Sequence, residues 1–227
     1  MRLNRRVSIQ TFPALAPLTW SRASGQQSFD VSSSKLTLTA EAGTDWTNDA
    51  TGGEPQHGAT SLGFVPEGDF QLSARVSVSG PRTTFDAGVL AIWIDEAHWA
   101  KLCFEFSPQG TAMVVSVVTN EYSDDVNSTL VAGDAVFLRV SRLGEAWAFH
   151  SSADGINWDF VRLFRLYADA PAHVGFLAQA PFGDSCEATF DEVRFLPERL
   201  SDLRVFFLVV RRPPRSTRAS RGRGRGP

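Results

Sequence analysis

Cysteine, methionine and histidine are scarce in this chain of 227 residues, which has two Cys, two Met and four His. Two cysteines are too few for a disulfide framework. Cys103 and Cys186 each sit in apolar, strand-like surroundings, so buried reduced thiols and a cytoplasmic location are expected. The histidines, at positions 57, 98, 150 and 173, lack the spacing of metal ligands, and no metal or cofactor is expected. No run of 18 apolar residues exists, which excludes a membrane-spanning helix. The stretch after Arg5 and Arg6, Val-Ser-Ile-Gln-Thr-Phe-Pro, is broken by polar residues and makes a poor signal peptide. No segment long enough for a globular helix carries a 3.6-residue apolar period, so a helical bundle is excluded too.

Net charge is also small, at −3, but the sum hides an asymmetry. Residues 201–227 hold eight Arg against Asp202, a net of +7. The remainder holds 14 basic and 24 acidic side chains, a net of −10. An acidic body repels phosphate backbones and anionic membranes, so neither a nucleic acid nor a membrane is an expected partner. The Arg-Gly repeats of the tail are low complexity and cannot build a core.

What the chain has in quantity is bulk for filling a sandwich: 43% hydrophobic residues, with seventeen Phe and six Trp. Strand-like runs recur between Gly, Pro, Asp and Asn clusters. They span 35–40, 70–79, 87–94, 99–107, 113–119, 136–142, 146–151, 161–166, 173–179 and 188–196. Gly144 and the Asp154-Gly155 pair mark two hairpins, with Trp158 expected to pack over the second. Many short strands at this spacing predict an all-β sandwich or barrel.

Several of these runs also follow one another in a familiar order. They include Gly68-Asp69-Phe70, Thr84-Phe85-Asp86-Ala87-Gly88-Val89-Leu90, the whole of Trp99–Ser107, and Val114-Val115-Ser116-Val117-Val118-Thr119. Ser123-Asp124-Asp125-Val126-Asn127-Ser128, Phe149–Gly155 and Val174–Gln179 come after. Over roughly residues 18–204 the chain resembles the DUF1349 family, which includes the regulation-of-enolase proteins. The resemblance implies a concanavalin A-like lectin/glucanase jelly roll of two antiparallel sheets, in a stand-alone intracellular protein of undefined activity. It divides the chain into an extension (1–17), the sandwich (18–200) and the basic tail (201–227). After Arg204 the sequence departs from the family's pattern, and a shifted or misjoined reading frame near that codon is expected.

Period-two alternation sorts the side chains by face. In Trp99–Ser107, Ala100, Leu102, Phe104 and Phe106 read as core, leaving Trp99, Lys101, Cys103 and Glu105 opposite. The same reasoning places Trp93, Trp99, Lys101, Glu105, Ser116, Arg139, His150 and Gln179 together on one concave sheet. An indole platform among Glu, Arg and Gln suits a carbohydrate, and Lys101 with Arg139 would suit a sugar phosphate. The rival is a half-exposed sheet whose Lys101 or Arg139 forms an ordinary ion pair with Glu105. The Asp45-Trp46-Thr47 loop and the stretch around His57 are candidates for one wall of the groove.

A catalytic role is not expected. Retaining glycosidases place two carboxylates about 5 Å apart, whereas Glu105 is the sole acid on its strand. The acidic run Ser123–Asn127 offers oxygen donors to calcium, but a solvated loop is favoured. The sequence therefore predicts a binding or regulatory module for a carbohydrate or sugar phosphate. The alternatives are a protein-binding regulator of a metabolic enzyme and an uncharacterised carbohydrate-active enzyme.

Overall fold

Apolar runs with β-branched and aromatic residues, cut by turn formers, can satisfy their backbones only by pairing with one another. A computed structural model of the chain, which describes residues 12, 15–22, 27–32 and 34–204, shows sixteen strands and no helix among those residues. In chain order they begin with β1 (Thr19–Trp20), β2 (Gln27–Ser32), β3 (Lys35–Glu41), β4 (Trp46–Thr47), β5 (Gln56–His57) and β6 (Leu62–Phe64). Next come β7 (Phe70–Ser79), β8 (Ala87–Trp93), β9 (His98–Phe106), β10 (Ala112–Asn120) and β11 (Tyr122–Leu130). The last are β12 (Ala135–Leu143), β13 (Ala146–Ser152), β14 (Asp159–Arg165), β15 (His173–Gln179) and β16 (Ser185–Leu196).

Two seven-stranded sheets form, ordered β1-β6-β15-β8-β9-β10-β11 and β14-β13-β12-β7-β16-β3-β2, with every neighbouring pair antiparallel. This is the expected all-β jelly-roll sandwich. Leu90, Leu102, Phe104 and Phe176 of the first sheet meet Leu72, Leu138, Phe149 and Phe190 of the second, all fully buried. Burying such side chains is worth about 1.5–3 kcal/mol each, so this layer carries most of the stability. Phe12 and Leu15, ahead of the expected boundary at residue 18, are also buried in it. Gly63 and Gly175 face each other across β6 and β15; a methyl group at Gly175 would collide with the Leu62 carbonyl oxygen.

All ten expected strands are present, and both expected hairpins connect strands: Gly144 sits between β12 and β13, and Asp154-Gly155 between β13 and β14. The acidic run Ser123–Asn127, expected as a loop, is instead part of the polar edge strand β11. Cys103 and Cys186 are free and buried, with burial pushing both thiols to a higher pKa. Residues 1–11 and the tail beyond Arg204, with the expected frame break, lie outside the described residues.

The first sheet is covered on its outer face as well. A small two-stranded arm, β4 paired with β5, lies over it and seals a second apolar cluster containing Trp46, Val89, Trp93, Trp99, Cys103, Val117 and Leu177. Double-sided burial explains why β8 reads as an unbroken apolar run, buried at every position.

Candidate functional site

β9 sends Trp99, Lys101, Cys103 and Glu105 to the outer face of the first sheet. Its neighbours set the rows: Lys101 lies between Ala91 of β8 and Val117 of β10, and Glu105 between Ala87 and Met113. One strand further out, Asp125 of β11 is opposite Val117 and Asn127 opposite Val115, so both share this face. On the other flank Gln179 of β15 pairs with Ala87.

Lys101 is the fastener of the arm. The residue is 3% exposed, and its ammonium donates to Asp45 Oδ1 (2.7 Å), the Trp46 carbonyl oxygen (2.8 Å) and Gln179 Oε1 (2.9 Å). An ammonium has three protons, and all three are spent. Burial alone would lower its pKa, but the Asp45 charge and hydrogen bond outweigh that and the net shift is upward. Gln179 is committed too, because its Nε2 donates to the Phe85 carbonyl oxygen at 2.9 Å. Phe85 is held at φ +67°, a conformation costly for a bulky residue.

Between arm and sheet lies a cleft of about 290 Å³. Asp45, Thr47 and Gln56 form the arm wall, and Glu105, Val115, Val117, Asp125 and Asn127 form the floor. Phe85, Pro181 and Phe182 close one end, and Phe182 is 70% exposed. Glu105 is 8% exposed, yet its carboxylate accepts no hydrogen bond from any described residue. Burial raises its pKa to about 7, against the pull of Lys101. Asp125 is exposed at the rim, and the partial desolvation of its carboxyl against the cleft raises its pKa as well.

The eight residues expected to share one surface do not converge. Lys101, Glu105 and Gln179 line the cleft. Trp93 and Trp99 lie on the correct face but under the arm: Trp46 packs 4.7 Å from Trp93 and 5.8 Å from Trp99, and Trp99 is wholly buried. They form a small core instead of an exposed platform. Ser116 pairs with Leu102 and points into the sandwich, so Val115 and Val117 take the outer positions expected of it. Arg139 and His150 pair with each other on β12 and β13, on the opposite sheet. Alternation fixes the side of a strand but not its sheet. The ion pair of the rival reading, Lys101 or Arg139 with Glu105, does not form either; Lys101 pairs with Asp45.

Asp125, Asn127 and Phe182 were not among the expected site residues. The signal was the alternation Ser123, Asp125, Asn127, legible only once the polar run is taken as a strand. In that strand Asp124 points away from Asp125 and pairs with Arg162 at 2.7 Å, which removes the calcium-loop geometry. Among the described residues no cluster of three or more His, Cys, Asp or Glu is placed to hold a metal ion.

Residues 20–198 match the family described as proteins of unknown function, DUF1349. The chain belongs to the DUF1349 family. A functionally unknown protein from Saccharomyces cerevisiae is similar at 27% identity with a TM-score of 0.70, over 79% of this chain and 95% of that one. A bifunctional GH43-CE protein of Bacteroides eggerthii is similar at 14% identity and TM-score 0.61, over 80% of this chain and 24% of that one. A xylan β-1,4-xylosidase from Bacillus halodurans is similar at 15% identity and TM-score 0.56, over 72% of this chain and 33% of that one. This DUF1349 chain thus spans a quarter to a third of those glycosidase-related chains, and the likeness is one of fold. No curated protein matches it.

Proposed function

We propose that the cleft beside the arm binds a neutral carbohydrate, and that the protein is a binding module without turnover. The observation that supports this most is Glu105, a nearly buried carboxylate left without a hydrogen-bond donor in an open cleft. Its oxygens open to the cleft, so a ligand can supply the donors that no neighbouring side chain gives, and a poorly solvated acid lowers stability until one does. Sugar hydroxyls are donors, so they suit Glu105 and Asp125, while Asn127 and Gln56 offer both donor and acceptor atoms. The exposed ring of Phe182 suits the C–H face of a pyranose or furanose. A sugar phosphate fits poorly. The cleft carries Asp45, Glu105 and Asp125 against one ammonium whose protons are all taken, and Arg139 is on the other sheet.

One observation favours an enzyme instead: Glu105 titrates near neutrality, as a general acid would. Acid–base pairs, however, have their two carboxyls pushed apart in pKa, and here Glu105 and Asp125 are pushed the same way. The buried free thiols support a reducing compartment, and we place the protein in the cytoplasm as part of this reading.

Calorimetric titration with neutral mono- and oligosaccharides, xylose and xylo-oligosaccharides among them, tests the proposal. Saturable binding is expected, weakened roughly three- to tenfold by Phe182→Ala and further by Glu105→Ala. Sugar binding indifferent to both substitutions removes the cleft from consideration. Glycosidase activity that disappears in Glu105→Gln would replace the binding module with an enzyme.

A further inference from the structure

The outer face of the second sheet holds two polar side chains whose own surroundings do not account for them. Arg139 on β12 stacks its guanidinium 4.2 Å over the Trp158 ring, and its Nε is buried without an acceptor. It forms no ion pair with any described carboxylate. Burial moves its pKa down to about 10.

His150, its cross-strand partner on β13, is 1% exposed. Its Nε2 lies 3.0 Å from the Leu203 carbonyl oxygen. A carbonyl oxygen only accepts, so Nε2 carries the hydrogen. Burial lowers the ring's pKa to about 4, which leaves it neutral at physiological pH and makes Nδ1 a bare acceptor. That Nδ1 has no donor.

Both residues line a cavity of about 200 Å³, with Trp158 and Ile156 in its wall and Leu200 and Leu203 in its cover. Asp202 also borders it, but its Oδ1 accepts from the Arg204 amide at 2.8 Å. A second hollow of about 100 Å³, with Ser73 and Arg194 in its wall, shares Arg139 and Trp158.

We propose that this cavity is a second ligand site, which takes a small hydroxy acid whose carboxylate meets the Arg139 fork and whose hydroxyl donates to His150 Nδ1. The guanidinium is planar and presents parallel N–H groups that match a carboxylate. Trp158 holds that plane, so less freedom is lost on binding. A simple anion leaves the imidazole lone pair unmet, and a neutral polyol leaves the cation unmet; a hydroxy acid satisfies both.

Backbone-amide NMR titration of the full chain with glycolate and with acetate tests the proposal, since the two differ at the methyl or hydroxymethyl group. Glycolate is expected to shift the amides of Arg139, His150, Trp158 and Leu203 saturably, and acetate to bind several-fold more weakly. Arg139→Gln should weaken glycolate about tenfold or more. Arg139→Lys, which keeps the charge and loses the fork, should weaken it as well. Arg165→Gln, removing an arginine that is 76% exposed, should leave binding intact. No saturable shift with wild type, shifts centred elsewhere, equal affinity for acetate, or unchanged binding in Arg139→Gln each overturns the proposal.

Discussion

Replacing Glu105 by Gln should make the protein more stable at neutral and alkaline pH. The carboxyl has a pKa of about 7 in the fold, against an ordinary value of 4.5. Between those limits the native state keeps a proton that the unfolded chain has released, so stability falls as pH rises through the window. At roughly 1.4 kcal/mol per tenfold, the full penalty approaches about 3 kcal/mol above pH 7 and vanishes below about pH 4.5. Glutamine keeps the shape and cannot ionise. Urea denaturation of both proteins from about pH 4 to pH 8 measures the difference directly. The buried histidines do not interact with Glu105, so they contribute equally to both proteins and cancel; the upward pull of Glu105 on Lys101 is lost in the variant, but Lys101 titrates far above this range. The gap in favour of Glu105→Gln should open from near zero at the acid end to a few kcal/mol at the alkaline end. A variant no more stable than wild type at pH 8, or a gap that ignores pH, would refute the picture of a desolvated, unpaired acid.

Three further outcomes follow from the same geometry. Lys101→Met strands the Asp45 carboxylate and two buried oxygens, and should cost about 3–5 kcal/mol in urea denaturation; a loss below about 1 kcal/mol contradicts its role as fastener. Ser116→Ala removes a buried hydroxyl that has no partner and should leave stability equal or raise it by about 1 kcal/mol; a clear loss would mean the hydroxyl is satisfied. His150→Gln should flatten the acid limb of the stability curve. With a folded pKa of about 4 against 6.5, wild type loses up to about 3 kcal/mol as pH falls through that interval, because the unfolded chain takes up the proton first.

The sandwich was readable in the sequence because most strands are bounded by turn formers and dense in Val, Phe and Trp. The facing of β9 was readable because Leu102 and Phe104 alternate cleanly with Lys101 and Glu105. β10 was harder. Its doublets Val114-Val115 and Val117-Val118 carry no parity, since both faces of that sheet are buried, and a one-residue slip turned Ser116 outward. β11 has a burial pattern almost wholly exposed, so its polar composition looked like a loop and hid Asp125 and Asn127. Arg139 and His150 were assigned the correct side of their strands, but a period of two contains no information about which layer a strand joins. The arm over Trp93 and Trp99 depends on Trp46 docking from about fifty residues away, a contact no local pattern announces.

The Lys101–Asp45 ion pair joins residues 56 apart in sequence, and that separation has a kinetic corollary. Until residues 45–57 fold back over the sheet, the ammonium sits on an apolar strand without its counter-charge. Contacts between distant segments form slowly, because chain entropy must be lost before they reward it. Assembly of the sheet should therefore precede completion of the cleft, and no excised β9–β11 fragment will carry the finished binding surface.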